Sequence, residues 1–181
     1  MPVLESPVGT TGTINTESWI ILFMTRYWVT SMSTHPESVV NSLIAACEDG
    51  YIPSTVRLLS NPTVDSQLDT ITELLSMVLT AYGTSAVSVD VTELPHETDF
   101  DGIVEHFYAP IRDSTATDEV AIDVTPGRKF MSAIAFQVGM KHEATHVYYN
   151  HVASEDYFGK VHSTIPRTAT DLIDFRALFP D

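Results

Sequence analysis

The feature that most constrains this chain is an alternation of short apolar runs with longer amphipathic segments, repeated along nearly its whole length. The apolar runs "SWIILFMT" (18–25), "STVRLLS" (54–60), "AVSVDVTE" (86–93), "EVAIDVT" (119–125) and "THVYYNHV" (145–152) have strand length and β-branched character. Between them, 34–50, 66–83, 99–109 and 129–141 carry the spacing of helices. In 66–83 the apolar residues Leu68, Ile71, Leu74, Leu75, Val78, Leu79 and Tyr82 share one face, and Gly83 marks the stop. Thr34 and Glu37 form an expected capping box before 34–50, with Pro36 in its first turn. Near Pro110 the helix 99–109 is expected to end or kink. A further strand at 158–165 and a short last element at 170–178 complete the reading. Strands that alternate with helices imply an α/β fold: a Rossmann-like three-layer sandwich with a mostly parallel central sheet. Residues 1–17, rich in Thr, Pro and Gly without apolar periodicity, read as an N-terminal arm, and 18–181 as one domain.

Composition narrows the function classes. With 44% hydrophobic residues the chain can build a core. Cys47 is the one cysteine, so no internal disulfide forms, and a reducing cytoplasm is the expected setting. The run "WIILFM" (19–24) falls far short of the ~20 residues of a membrane span, and no membrane partner is expected. Acidic residues outnumber basic ones by 24 to 9, for a net charge of −15, and the lysines are Lys129, Lys141 and Lys160. A broad face for long nucleic acids would need clustered basic residues, so that class is set aside. The acids are scattered, which favours adaptation to a salty cytoplasm of haloarchaeal type over a basic partner.

The stretch His142-Glu143-Ala144-Thr145-His146 spells the H-E-x-x-H pattern of zinc peptidases. That chemistry needs both histidines one turn apart on a single helix. Here the helix is expected to end near Lys141 and a strand to follow, so a turn falls inside the motif and no metal is expected. His151, at the carboxyl end of its strand, is better placed for function.

In an open parallel sheet, ligands bind beyond the carboxyl ends of the strands. Two loops stand out there. The first, 25–37, is long and hydroxyl-rich, with Thr30, Ser31, Ser33 and Thr34 beside Arg26, Tyr27, Trp28 and His35. The second, 123–132, sets Thr125, Gly127, Arg128 and Lys129 at a helix start, where the dipole and free amides favour an anion. Arg128–Lys129 is the sole adjacent basic pair in the chain. The loop is neither a P-loop nor a dinucleotide fingerprint.

The run "AIDVTPGRKFMSAIAFQVGMKHEATHVYY" resembles the signature region of CRISPR-associated Rossmann fold (CARF) domains. There a hydrophobic strand ends in Asp-x-Thr-Gly-Gly-Thr/Arg-Lys, Met-Ser opens an apolar helix, and a "vyYv" strand follows. Residues 120–150 carry the match, and the element order over 18–152 agrees. Pro126 stands where the family more often has glycine, and it offers no amide to a phosphate. The resemblance implies a homodimer that binds a cyclic oligoadenylate, a second messenger of type III CRISPR defence, in a pocket across the two-fold axis. It implies that Thr125, Gly127, Arg128 and Lys129 hold phosphates and ribose, that Ser31, Ser33 or Thr34 closes the site, and that Trp28 or Tyr27 stacks on adenine. No cofactor is implied.

Many CARF proteins carry an effector domain, but the sequence has no R-x4–6-H and no (D/E)-x-K pattern. The expectation is a CARF domain alone, acting as a sensor through a separate effector protein. The alternative is a ring nuclease that cleaves its ligand without metal, by attack of the ribose 2′-hydroxyl on the adjacent phosphate. Lys129 would then stabilise the developing charge, with Ser31 or Ser33 and Arg128 assisting and His35 the nearest base. A weaker alternative is a nucleotide-binding Rossmann-like domain unrelated to CRISPR.

Overall fold

The computed structural model describes residues 24–179. The arm at 1–17 and most of the strand expected at 18–25 lie outside the described residues. Six strands form one sheet: β1 (Arg26–Ser31), β2 (Thr55–Ser60), β3 (Ser88–Glu93), β4 (Glu119–Asp123), β5 (His146–Val152) and β6 (Thr170–Asp174). Their order is β3-β2-β1-β4-β5-β6. The first five run parallel, and β6 pairs antiparallel to β5 at the edge. Helices α1 (Pro36–Glu48) and α2 (Leu68–Ala81) cover one face, while α3 (Phe100–Asp113) and α4 (Lys129–Lys141) cover the other. A short α5 (Phe175–Leu178) follows β6. This is the expected Rossmann-like sandwich.

Side chains alternate across a strand, so neighbours on β1 feed opposite cores. Trp28 joins Leu43, Val56, Leu58, Ile71, Leu75 and Leu79 under α1 and α2. Val29 joins Leu59, Ile103, Phe107, Ile122, Val138 and Val147 under α3 and α4. Both are fully buried.

Four local expectations are corrected. Among the described residues the first strand is Arg26–Ser31, so Thr30 and Ser31 end a strand rather than populate a loop. Polar residues sit there because cross-strand partners satisfy them: the Arg26 Nε bonds Glu119 at 2.6 Å, and the Thr30 hydroxyl bonds Asp123 at 3.0 Å. The capping box is absent. The N-cap of α1 is His35, the Ser33 hydroxyl accepts the His35 N–H at 3.1 Å, and the Ser38 hydroxyl donates to the His35 carbonyl at 2.7 Å. Pro110 neither ends nor breaks α3, which runs on to Asp113 with the proline buried. The span 158–165 holds a 3₁₀ turn at His162–Thr164 rather than a strand, and the edge strand is Thr170–Asp174.

Candidate functional site

The chain leaves β1 toward β2 and β3 on one side, then crosses back to place β4 on the other side of β1. That reversal opens a crevice beyond the carboxyl ends of β1 and β4, the place where sheets of this kind hold ligands. At its floor lies Asp123, the last residue of β4, 1% exposed. Its Oδ2 accepts from the Ser42 hydroxyl of α1 at 2.6 Å and the Thr30 hydroxyl of β1 at 3.0 Å. Its Oδ1 accepts the Thr125 N–H at 2.9 Å. One carboxylate therefore joins a strand, a helix and the loop after β4. Burial pushes its pKa up to about 6, against these hydrogen bonds, which pull it down. Thr30 is held from the other face as well. Its carbonyl accepts from His106 Nε2 at 3.2 Å, which fixes the tautomer, and Nδ1 then accepts from the Thr92 hydroxyl at 3.0 Å. Burial lowers the His106 pKa to about 4, so the ring is neutral near pH 7.

The loop from Val124 to Arg128 is seated on this floor. The Thr125 hydroxyl accepts the Asn150 N–H at 2.8 Å, and the Ser31 hydroxyl donates to the Pro126 carbonyl at 3.1 Å. Gly127 has φ +92°, and a Cβ there would stand 2.5 Å from the Ser31 oxygen. Only glycine meets both conditions without strain. Lys129 opens α4.

Two clefts meet at this loop and share Thr125, Gly127 and Tyr149. The smaller, about 440 Å³, is lined also by Lys129, Ser132, Phe136 and Phe175. The larger, about 720 Å³, lies between the start of α1 and the segment after β5, with Ser33, His35, Glu37, His151, Tyr157 and Lys160 on its walls. Asn41 of α1 braces that far wall: its Nδ2 donates to the Lys160 carbonyl and its Oδ1 accepts the His162 N–H, both at 2.8 Å.

Charge is distributed unevenly. Arg26, Arg57, Arg112, Arg128 and Arg167 each pair with a carboxylate. Lys129 and Lys160 line the clefts with no carboxylate partner among the described residues, and Lys160 lies 5.1 Å from the centre of the Tyr157 ring.

The expected site residues thus separate. Gly127, Thr125, Lys129, Ser33 and His35 line the clefts. Ser31 is 2% exposed and braces the loop. The Arg128 guanidinium turns to Glu97 and lines neither cleft. Thr34 is exposed outside both clefts, and its carbonyl accepts from Gln67. Trp28 is fully buried and stacked on Tyr148, so it is not a platform for adenine. Tyr27 packs against the opposite core and is no platform either. Asn41, Tyr149, Tyr157 and Lys160 were not expected at the site, and Asp123, inside the loop expected at 123–132, had no expected role. Asp123 carries a signal, a lone acid closing an apolar strand; the others carry none.

The H-E-x-x-H residues part company. α4 ends at Lys141, and Glu143 takes φ +58° in the turn. His142 packs on Tyr108, with ring centres 4.4 Å apart, while His146 starts β5 and its Nδ1 meets Asp174 at 2.8 Å. Among the described residues no three of His, Cys, Asp and Glu gather as a metal site.

No family model and no curated protein matches this sequence. Solved structures do. A type III CRISPR defence DNA nuclease activated by cyclic oligoadenylate aligns at TM-score 0.47 and 17% identity, over 72% of this chain and 19% of that one. Enterococcus italicus Csm6 bound to cyclic hexa-2′-fluoro-hexa-dAMP aligns at TM-score 0.55 and 12% identity, over 83% of this chain and 42% of Csm6. The chain spans less than half of either protein. By fold, it is similar to Csm6.

Proposed function

We propose that this chain binds a cyclic oligoadenylate at the crevice beyond β1 and β4 and acts as a messenger sensor. The observation that carries the reading is that two of the three lysines, Lys129 and Lys160, line the clefts without a carboxylate partner among the described residues, in a chain of net charge −15. A cation left unpaired among so many acids is suited to an anionic ligand. The glycine turn, the start of α4 and the hydroxyls of Thr125 and Ser33 add donors suited to phosphate and ribose. The Csm6 of similar fold holds a cyclic adenylate analogue.

In this reading the chain works as a homodimer. A ring with repeated phosphates meets the same loop from each subunit across a two-fold axis. A separate effector protein carries the output. The acidic remainder of the surface suits a salty cytoplasm, where the Debye length near 1 M is ~3 Å and short hydrogen bonds do the binding. Sensing is favoured over ring cleavage because the Ser31 hydroxyl is committed to the Pro126 carbonyl.

The test is to incubate the protein in high potassium chloride with chelator, separately with cyclic tetra-adenylate and cyclic hexa-adenylate. Chromatography then follows free ligand and its integrity. The expected result is depletion of one free ring that is recovered intact. Linear products would turn the reading to a ring nuclease, and no uptake of either ring would overturn it.

A further inference from the structure

We propose that Tyr157–Lys160 and the facing Glu37 form an adenylate subsite, in which Phe158 covers the base, Glu37 accepts its exocyclic amine and Lys160 holds the adjoining phosphate. The proposal rests on the cyclic oligoadenylate reading above and adds what selects the base. All three side chains line the larger cleft.

The wall is built, not loose. The Ser154 side chain accepts the Asp156 N–H at 3.2 Å, starting the turn at Glu155–Tyr157. Asn41, only 5% exposed, clamps the backbone on both sides of Val161. The backbone of Lys160 is therefore fixed while its ammonium lies over the ring of Tyr157, and both residues line the cleft. Phe158 is 65% exposed at the cleft margin, an apolar ring left for something flat to cover. Glu37 stands across the opening, its Oε1 3.5 Å from His35 Nδ1 and 3.9 Å from where a Cβ on Gly159 would sit. A carboxylate beside a polyanion is adverse unless donors offset it; His35 is one neighbour that can donate, and the ligand can supply another. Adenine offers one, the exocyclic N–H pair that a 6-oxo purine lacks. A site built around such a donor rejects the analogue without it.

The experiment is equilibrium binding of cyclic tetra- and hexa-adenylate and of the matching inosinate rings, which carry oxygen in place of the amine. Wild type is expected to prefer the adenylate ring by at least roughly tenfold. Phe158→Ala and Lys160→Ala should each weaken adenylate binding roughly tenfold with an unchanged melting midpoint. Glu37→Ala should abolish the preference between the two purines. Wild type that binds adenylate, with all three variants indistinguishable from it, would overturn the subsite and leave the sensor reading standing. Wild type that binds neither ring would overturn both.

Discussion

The two ends of the parallel sheet put their polar groups to different use. At the amino end, ion pairs and hydrogen bonds tie the strands to one another, and Lys141 at the end of α4 is exposed outside both clefts. Arg26 pairs with Glu119 at 2.6 Å, and His146 with Asp174 at 2.8 Å. Asp118 accepts the N–H groups of Thr25 and Thr115, and the Tyr51 hydroxyl donates to the carbonyls of Tyr27 and Glu119. At the carboxyl end the one buried charge site, Asp123, is satisfied from three directions, yet the lysines above it face open clefts. One end closes on itself and fixes the strand register. The other is rigid underneath and carries cleft-lining lysines on top, the arrangement a preorganised binding site needs.

Substitutions can break this contrast in order of size. The largest effect is expected from Asp123→Ala, which takes the acceptor from two buried hydroxyls and the part-buried Thr125 N–H and should cost about 3 kcal/mol of stability, read by denaturant unfolding. Loss below about 1 kcal/mol would show that Asp123 does not hold the loop.

The acid response tests the same layer. His106 is lowered from 6.5 to about 4 by burial, so the unfolded chain binds its proton first, and stability falls as pH drops through that window. Asp123 is raised from 3.8 to about 6, so the folded state binds its proton first, and this group contributes the opposite slope from pH 6 downward. His106→Gln should remove the first slope and leave the second. Unfolding midpoints between pH 4 and 7 that run parallel to wild type would refute the assignment.

Gly127→Ala should cost about 2 kcal/mol, from the positive φ and the push against Ser31, and should weaken ligand binding as the loop shifts. Lys129→Ala is expected to lower ring affinity about tenfold, equal to ~1.4 kcal/mol, with stability unchanged. The smallest effect belongs to the amino end. Arg26→Ala removes a part-exposed ion pair and should cost no more than ~1 kcal/mol without altering ligand affinity.

Legibility in the sequence followed the range of the forces involved. α4 and β5 were readable because one short stretch carries periodicity, helix end and strand start together. The broken H-E-x-x-H was readable for the same reason. β1 was read as loop because "RYWVTS" has little apolar content beside "WIILFM", and the polar residues of β1 are satisfied by partners 93 positions away. The last element at 170–178 was read without its type, since an edge strand needs little apolar content, while Gly159 at φ +77° takes 158–165 out of extended structure. In the site, the loop after β4 was legible from local chemistry. Lys160 was not, since Asn41 fixes it across 119 positions. Trp28 misled because an aromatic near a ligand loop reads the same whether it faces the ligand or the core.

The most direct measurement is one titration of three proteins with the cyclic oligoadenylate that depletes best: wild type, Arg26→Ala, and Lys129→Ala combined with Lys160→Ala. Wild type and the amino-end variant are expected to bind alike, with the lysine double variant weaker by roughly a hundredfold. Equal binding by all three would contradict the claim that the carboxyl end of the sheet is the site.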